Sequence, residues 1–216
     1  MPLKPIRKIK PSSRSITGKY SSAKTQTVHQ FESTLERDFL TLLEYDDTVQ
    51  DYGVQPVAIY YKHSGKTTRY TPDMVVHYMP ALSKKPLLCE IKYEAELQCK
   101  REYYEPKFRA ATEYALINNY QFKIFTEKEI RTDYLVNVKF LSKYSRTPID
   151  EKYLKIITAG LLQNPASTPK ELLVLSTTEE NARMLYTVWQ MLAGRLIKCD
   201  MKTKLTMTSM IWKSQD

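Results

Sequence analysis

Asp73 stands behind a proline at the head of an apolar run, Met74-Val75-Val76, and seventeen positions later Glu90-Ile91-Lys92 closes a second run, Leu87-Leu88-Cys89. Carboxylates and a lysine are costly where Val, Leu and Ile bury the chain, so something must compensate them. Side chains at i and i+2 share a strand face, which puts Glu90 and Lys92 on one side and Ile91 on the other. A buried Glu beside a Lys is, by itself, an ion pair. The loop from Tyr78 to Pro86, however, can return the chain so that the Glu90 strand pairs beside Asp73 and brings two carboxylates together. Two such groups a few ångströms apart repel each other unless a divalent cation sits between them. Mg²⁺ prefers hard oxygen ligands of this kind and keeps several waters. A lysine on the same face then lies near metal-bound water, an assembly suited to phosphodiester hydrolysis. His77 shares the face of Asp73 if no bulge intervenes, but it reads as a hydrogen-bonded strand residue, because Mg²⁺ does not favour imidazole.

These residues need a sheet beneath them. Val49 to Tyr61 is rich in β-branched and aromatic residues and predicts one or two strands, Thr68 to Tyr78 another and Leu87 to Tyr93 a third, with a turn at His63-Ser64-Gly65-Lys66. Phe31, Leu35, Phe39, Leu42 and Leu43 recur at helical spacing and predict an amphipathic helix from His29 to Tyr45. Glu32 and Glu36 are one turn apart on it, Glu32 inside the apolar stripe and Glu36 at its edge, so periodicity does not select Glu36 for the site. Glu94 to Asn118 is helical by composition, with a break at Glu105-Pro106 where Pro106 opens a second helix. Gln121 to Phe125 predicts a short strand, and Thr126 caps a helical turn. The order predicts an α/β fold, a mixed sheet flanked by helices.

Beyond about residue 146 the pattern changes. Helices are predicted at Ile149 to Leu162, Pro169 to Leu175 and Thr178 to Ala193, the last ended by Gly194, and Leu196 to Trp212 alternates as a β-hairpin turning near Lys202 to Lys204. Helices followed by such a hairpin predict a small winged-helix-like domain at 147–216, behind a main domain at 29–146 and a flexible basic arm at 1–28.

The 216 residues, 42% of them hydrophobic, have room for a main core and a small second one. No run approaches the roughly 18 to 20 apolar residues of a membrane span, and no apolar leader follows the start, so a cytoplasmic protein is expected. Cys89, Cys99 and Cys199 are too few and scattered for a disulfide framework or a zinc site. The net charge of +9 is uneven: residues 1–28 hold seven Lys or Arg and no acid, whereas 29–146 hold 17 of each sign. Such an arm suits phosphate contacts, with Arg7, Lys8, Lys10, Arg14 and Lys19 as the DNA-binding candidates; a solubilising tail explains the same composition. Lys100, Arg101, Lys107 and Arg109 fit either phosphate contacts or a solvated helix face.

Pro72-Asp73 followed by Glu90-Ile91-Lys92 resembles the PD-(D/E)xK nuclease signature, whose short core is weakly specific. The longer stretches FESTLERDFLTLLEYDDTVQDYGVQPV, RYTPDMVV, LLCEIKY and FKIFTEKEI resemble the TnsA family, endonuclease subunits of heteromeric transposases, over nearly all of the chain after the arm. The resemblance implies a restriction-endonuclease-like fold in a prokaryotic protein that cuts the 5′ strands of double-stranded DNA at transposon ends. It implies a DDE-type transposase partner, TnsB, and an AAA+ ATPase, TnsC, which the C-terminal module contacts. It also implies that Asp73, Glu90 and the Ile91 carbonyl bind Mg²⁺, two ions per site with Mn²⁺ as a substitute. By the same resemblance Lys92 serves the attacking water, and Glu36, in the Ser-x-Leu-Glu pattern of Ser33 to Glu36, is a further catalytic carboxylate and metal ligand. Gln55 matches the family pattern too, and its expected work is to hold strand backbone. Two other readings fit less of this text: a stand-alone restriction or repair nuclease of the same fold, which would cut DNA unaided, and a non-catalytic DNA-binding adaptor, which would bind no metal.

Overall fold

The computed structural model describes residues 16–145 and 147–214. The chain divides into two compact units, 1–131 and 132–216. That boundary lies ahead of the change of pattern near 146, because the helix Asp133–Leu141, for which the sequence carries no clear apolar stripe, belongs with the second unit.

The first unit opens with an antiparallel hairpin of β1 (Gly18–Ser22) and β2 (Thr27–Phe31), where a flexible arm was expected up to residue 28. Helix α1 (Thr34–Tyr45) therefore starts five residues later than its apolar spacing suggested. Phe31 fits the helical stripe but ends β2, and Ser33 caps the helix, its hydroxyl accepting from the Glu36 N–H at 3.1 Å. Glu44, near the end of α1, fastens the hairpin: its carboxylate accepts from Ser22 Oγ (2.7 Å), the Ala23 and Lys24 N–H groups (2.9 and 3.0 Å) and Tyr52 Oη (2.6 Å).

Four strands form the central sheet: β3 (Val49–Val54), β6 (Met74–Tyr78), β7 (Leu87–Ile91) and β8 (Gln121–Phe125), in the order β3-β6-β7-β8. The first two contacts are antiparallel and β7 with β8 is parallel, so the sheet is mixed as expected. Between β3 and β6 the chain makes a separate two-stranded ribbon, β4 (Ile59–His63) and β5 (Lys66–Tyr70). Thr68 to Tyr78 is thus two strands in different sheets, divided at Thr71-Pro72-Asp73, because proline has no N–H for a ladder.

Helices α2 (Glu94–Cys99) and α3 (Arg101–Ile117) follow β7, and α4 (Glu127–Ile130) follows β8 behind a Thr126/Glu129 capping box. The break falls at Lys100, not at Pro106, which is inside α3 and leaves the Glu102 carbonyl without its usual i+4 donor. Helix α3 covers one sheet face, where Ala115 packs with Val75 and Leu88. Residues three apart on a strand face oppositely; Phe122 joins that cluster, while Phe125 meets Phe39 of α1 at 4.7 Å between ring centroids on the other side. The sheet is flanked by helices on both faces.

The second unit contains α5 (Asp133–Leu141), α6 (Glu151–Gln163), β9 (Ala166–Ser167), α7 (Pro169–Leu172), α8 (Thr178–Ala193), β10 (Ile197–Cys199) and β11 (Ile211–Lys213). The strands form an antiparallel sheet in the order β10-β11-β9. The expected hairpin exists, but its strands are three residues long; Asn137 holds the long connection, donating to the Met201 and Thr203 carbonyls and accepting from the Leu205 N–H. Trp189 is in this unit's core with Ile157, Met184 and Ile211, whereas Trp212 remains partly exposed. Among the described residues no helix is long and apolar enough to cross a membrane.

Candidate active site

The register of the central sheet brings the predicted residues together. Met74 of β6 lies opposite Cys89 of β7, so Asp73, one residue earlier, comes opposite Glu90, and directly opposed residues share a sheet face. Asp73 sits just outside the ladder and its carboxylate folds back: Oδ2 accepts the Ile91 N–H at 2.8 Å. On the other side of β6, the Gln55 N–H donates to the Asp73 carbonyl at 2.8 Å, so the expected backbone-holding work of Gln55 is done on the acidic residue itself.

Lys92 closes the group. Its Nζ is 3.0 Å from Asp73 Oδ2, 2.9 Å from Glu90 Oε1 and 3.1 Å from the Ile91 carbonyl oxygen. These are the three oxygens for which the resemblance implied a cation. The remaining oxygen of Glu90, Oε2, accepts from Tyr70 Oη at 2.6 Å, a contact between residues 20 positions apart that periodicity does not signal.

Glu36 is buried near the group without bonding to it. Its Oε2 accepts the Glu32 N–H at 2.9 Å and its Oε1 accepts from Ser33 Oγ at 3.1 Å. Glu32 precedes the cap and is not on the helix at all, so its apparent place in the apolar stripe has no structural counterpart. Orientation of α1 depends on Arg131, which donates from Nε to the buried Asp38 (2.9 Å) and from Nη2 to Thr34 Oγ1 (2.8 Å). That clamp joins residues 93 positions apart and was not legible in sequence.

Burial pushes the Glu36 carboxyl up to about 7, with the Asp73 charge adding to it. Glu90 is also pushed up to about 7, by burial and then by Asp73, against the opposing pull of Lys92 and Tyr70. Burial draws the Lys92 pKa down, but Asp73 and Glu90 together outweigh it and hold the group above the ordinary lysine value. Lys92 is therefore an ammonium ion in the metal-free site.

Among the described residues no three His, Cys, Asp or Glu side chains stand at metal-ligating spacing around one point. The donor set nevertheless fits a hard divalent ion. Two carboxylates and a carbonyl already converge on one positive charge, and a third carboxylate lies within electrostatic reach. Fully ionised, Glu36, Asp73, Glu90 and Lys92 sum to −2, the charge that a divalent cation balances. What the structure does not bring together is Glu36 with the other two.

The remaining candidates separate. Arg7, Lys8, Lys10 and Arg14 lie outside the described residues, and Lys19 is exposed on β1, paired across the hairpin with Gln30. His77 bonds to Asp51, its cross-strand partner, and takes no part in the site. Lys100 pairs with Glu96, and Lys107 lies over the Tyr103 ring at 3.5 Å.

A family model described as TnsA-like endonuclease N terminal matches residues 46–127, and one described as TnsA endonuclease C terminal matches 129–201. Together they leave only Lys128 unmatched between residues 46 and 201. No curated protein sequence matches the chain significantly.

Proposed function

Because the chain belongs to the TnsA endonuclease family, a family of transposon nuclease subunits, we propose that it is a Mg²⁺-dependent DNA endonuclease cutting the 5′ strands at transposon ends. It works in a heteromeric transposase beside a DDE-type subunit of the TnsB kind and an AAA+ ATPase of the TnsC kind. The observation that carries this reading is the placement of Lys92 Nζ within 3.1 Å of Asp73, Glu90 and the Ile91 carbonyl at once.

Asp73, Glu90 and the Ile91 carbonyl would hold Mg²⁺, with Glu36 as the further carboxylate. When bound, the ion supplies Lewis-acid stabilisation of charge on phosphate oxygens and acidifies its water. The chain's own residues do the rest. The Ile91 N–H and the backbone bond from Gln55 fix Asp73, and Tyr70 fixes the rotamer of Glu90. Lys92, as an ammonium, donates to the attacking water or to the phosphate oxygen beside it, and so orients the nucleophile in line.

The second unit supports a winged-helix-like reading. Its order from α6 onward is helix, strand, helix, helix, strand, strand, with β11 between β9 and β10. Helix α8, where such modules carry a recognition helix, has Glu179 and Glu180 in its first turn and pairs Arg183 with Glu179. That charge suits the ATPase partner better than a DNA groove.

The test is strand cleavage reconstituted with the partner subunits on a transposon-end duplex. Asp73→Ala and Lys92→Ala should each abolish cutting of the 5′ strand and leave 3′-strand cutting by the partner intact. Undiminished 5′ cutting by both variants overturns the assignment.

A further inference from the structure

The ribbon of β4 and β5 stands beside the catalytic carboxylates. From Tyr52 to Pro72 the chain has no Asp or Glu, yet it carries Lys62, Lys66 and Arg69. In the ribbon's register Tyr60 faces Arg69 and Lys62 faces Thr67, which places these four side chains on one face. All four are exposed, Tyr60 by 66%, whereas Ile59, Tyr61, Thr68 and Tyr70 on the other face are buried or half-buried. Among the described residues Lys62, Lys66 and Arg69 have no ion pair, although Lys92, Lys100, Lys123, Lys128 and Arg131 all do.

The ribbon is narrow and firmly rooted. Ser64 and Gly65 take φ values of 48° and 75°, the left-handed pair that closes a two-residue hairpin tightly. At the base, Ile59 and Tyr70 pack on Ala110 and Ala111 of α3, and Tyr70 reaches Glu90. A two-stranded ribbon fits the roughly 12 Å major groove of B-DNA.

We propose that the β4–β5 ribbon is a duplex-DNA contact, entering the major groove with Lys62 and Arg69 on phosphates and Tyr60 against sugar or base, and so setting the scissile phosphate against Asp73 and Glu90. It rests on the nuclease reading and adds to it. The residues from 29 to 146 are neutral in sum, so whatever hold they themselves have on substrate comes from local charge, and this ribbon supplies it next to the chemistry. Because Tyr70 belongs to both ribbon and site, a groove contact at one end fixes the geometry at the other.

The experiment measures binding of the full chain to a double-stranded transposon-end fragment in EDTA across a salt series, with Lys62→Ala/Arg69→Ala and Tyr60→Ala as variants. Each lost phosphate contact removes about 0.9 from the slope of log affinity against log salt, so the double variant should lose about 2. Tyr60→Ala should weaken binding several-fold with the slope unchanged, and neither should lower Tm, since all three side chains are exposed. Wild-type affinity and slope in both variants overturn the proposal, as does a loss seen only for single-stranded RNA or a partner protein. Reconstituted cleavage separates this from the reading beneath it. If Asp73→Ala abolishes 5′ cutting while the ribbon variants bind and cut normally, only the ribbon proposal fails. If the ribbon variants lose DNA while Asp73→Ala still cuts, the site assignment fails and the ribbon stands.

Discussion

Tyr70 donates its phenolic proton to Glu90 Oε2 across 2.6 Å, joining the end of the ribbon to a buried carboxylate of the candidate site. Burial, then Glu90 itself, holds the phenol's pKa far above its ordinary value, so the group is a permanent donor. Tyr70→Phe keeps the packing and deletes that proton. A hydrogen bond to a charged group contributes about 1.5–3 kcal/mol, so denaturant unfolding should show a loss of that order. Cleavage should fall about tenfold by loss of the Glu90 rotamer. An unchanged midpoint and unchanged cutting would mean that Glu90 is fixed by Lys92 alone.

Burial of the site also makes the metal-free protein sensitive to a rise of pH from acid to neutral. Glu36 and Glu90 titrate near 7 when folded against an ordinary value of 4.5. The native state thus binds more protons than the unfolded chain between those values. Their contribution is fully present below pH 4.5 and is lost as pH rises through about 7. In EDTA the melting temperature should drop by several degrees from pH 5 to pH 8, with Glu90→Gln flattening the trend. Burial lowers the His29 pKa and works in the opposite sense, so the comparison with Glu90→Gln decides: a variant whose trend matches wild type over that interval would contradict the raised value of Glu90.

Lys92 occupies the place that the cation is proposed to take. The side chains of Lys92, Asp73 and Glu90 are 19%, 15% and 4% exposed, so removal of the ammonium leaves two poorly solvated carboxylates face to face. Breaking a buried pair in this way costs about 3–5 kcal/mol. Metal-free Lys92→Ala should therefore melt well below wild type. Added Mg²⁺ should raise its Tm more than it raises that of wild type, because nothing competes for the oxygens. Equal increments in the two proteins would show that ammonium and metal do not share a position.

The central arrangement was legible because a strand has period two and each apolar run ends flush with its polar residues. Fixing Met74 opposite Cys89 leaves Asp73 only Glu90 to face. What escaped was decided by contacts remote in sequence or by local rules that compete with periodicity. Phe31 continues the stripe of Leu35 and Phe39 by spacing, yet the Ser33 cap and β2 pairing place it on a strand. Pro106 looked like a helix start, but α3 accepts it near its N-terminal end. The Asp38–Arg131 clamp and the Tyr70–Glu90 bond join elements that only the folded sheet brings together. Glu36 was selected by family resemblance, and the structure leaves it within electrostatic reach of Asp73 but bonded elsewhere: its carboxylate turns back over the helix start to meet the Glu32 N–H.

Gln55 gives the sharpest separation of backbone from side chain. Its φ is 47°, a region non-glycine residues seldom enter, and it is buried with Oε1 lacking any hydrogen-bond partner among the described residues. Its N–H, by contrast, donates to the Asp73 carbonyl. Glycine keeps that N–H, relieves the left-handed strain and deletes the orphaned amide, gains that together exceed the roughly 0.5–1 kcal/mol of extra chain entropy glycine loses on folding. Gln55→Gly should therefore be more stable than wild type by about 1 kcal/mol in denaturant unfolding, and Gln55→Ala, which retains the strain, should be less stable than the glycine variant. If Gln55→Gly proves the less stable of the two, the side chain has a native partner and the left-handed turn is not what limits stability at this end of β3.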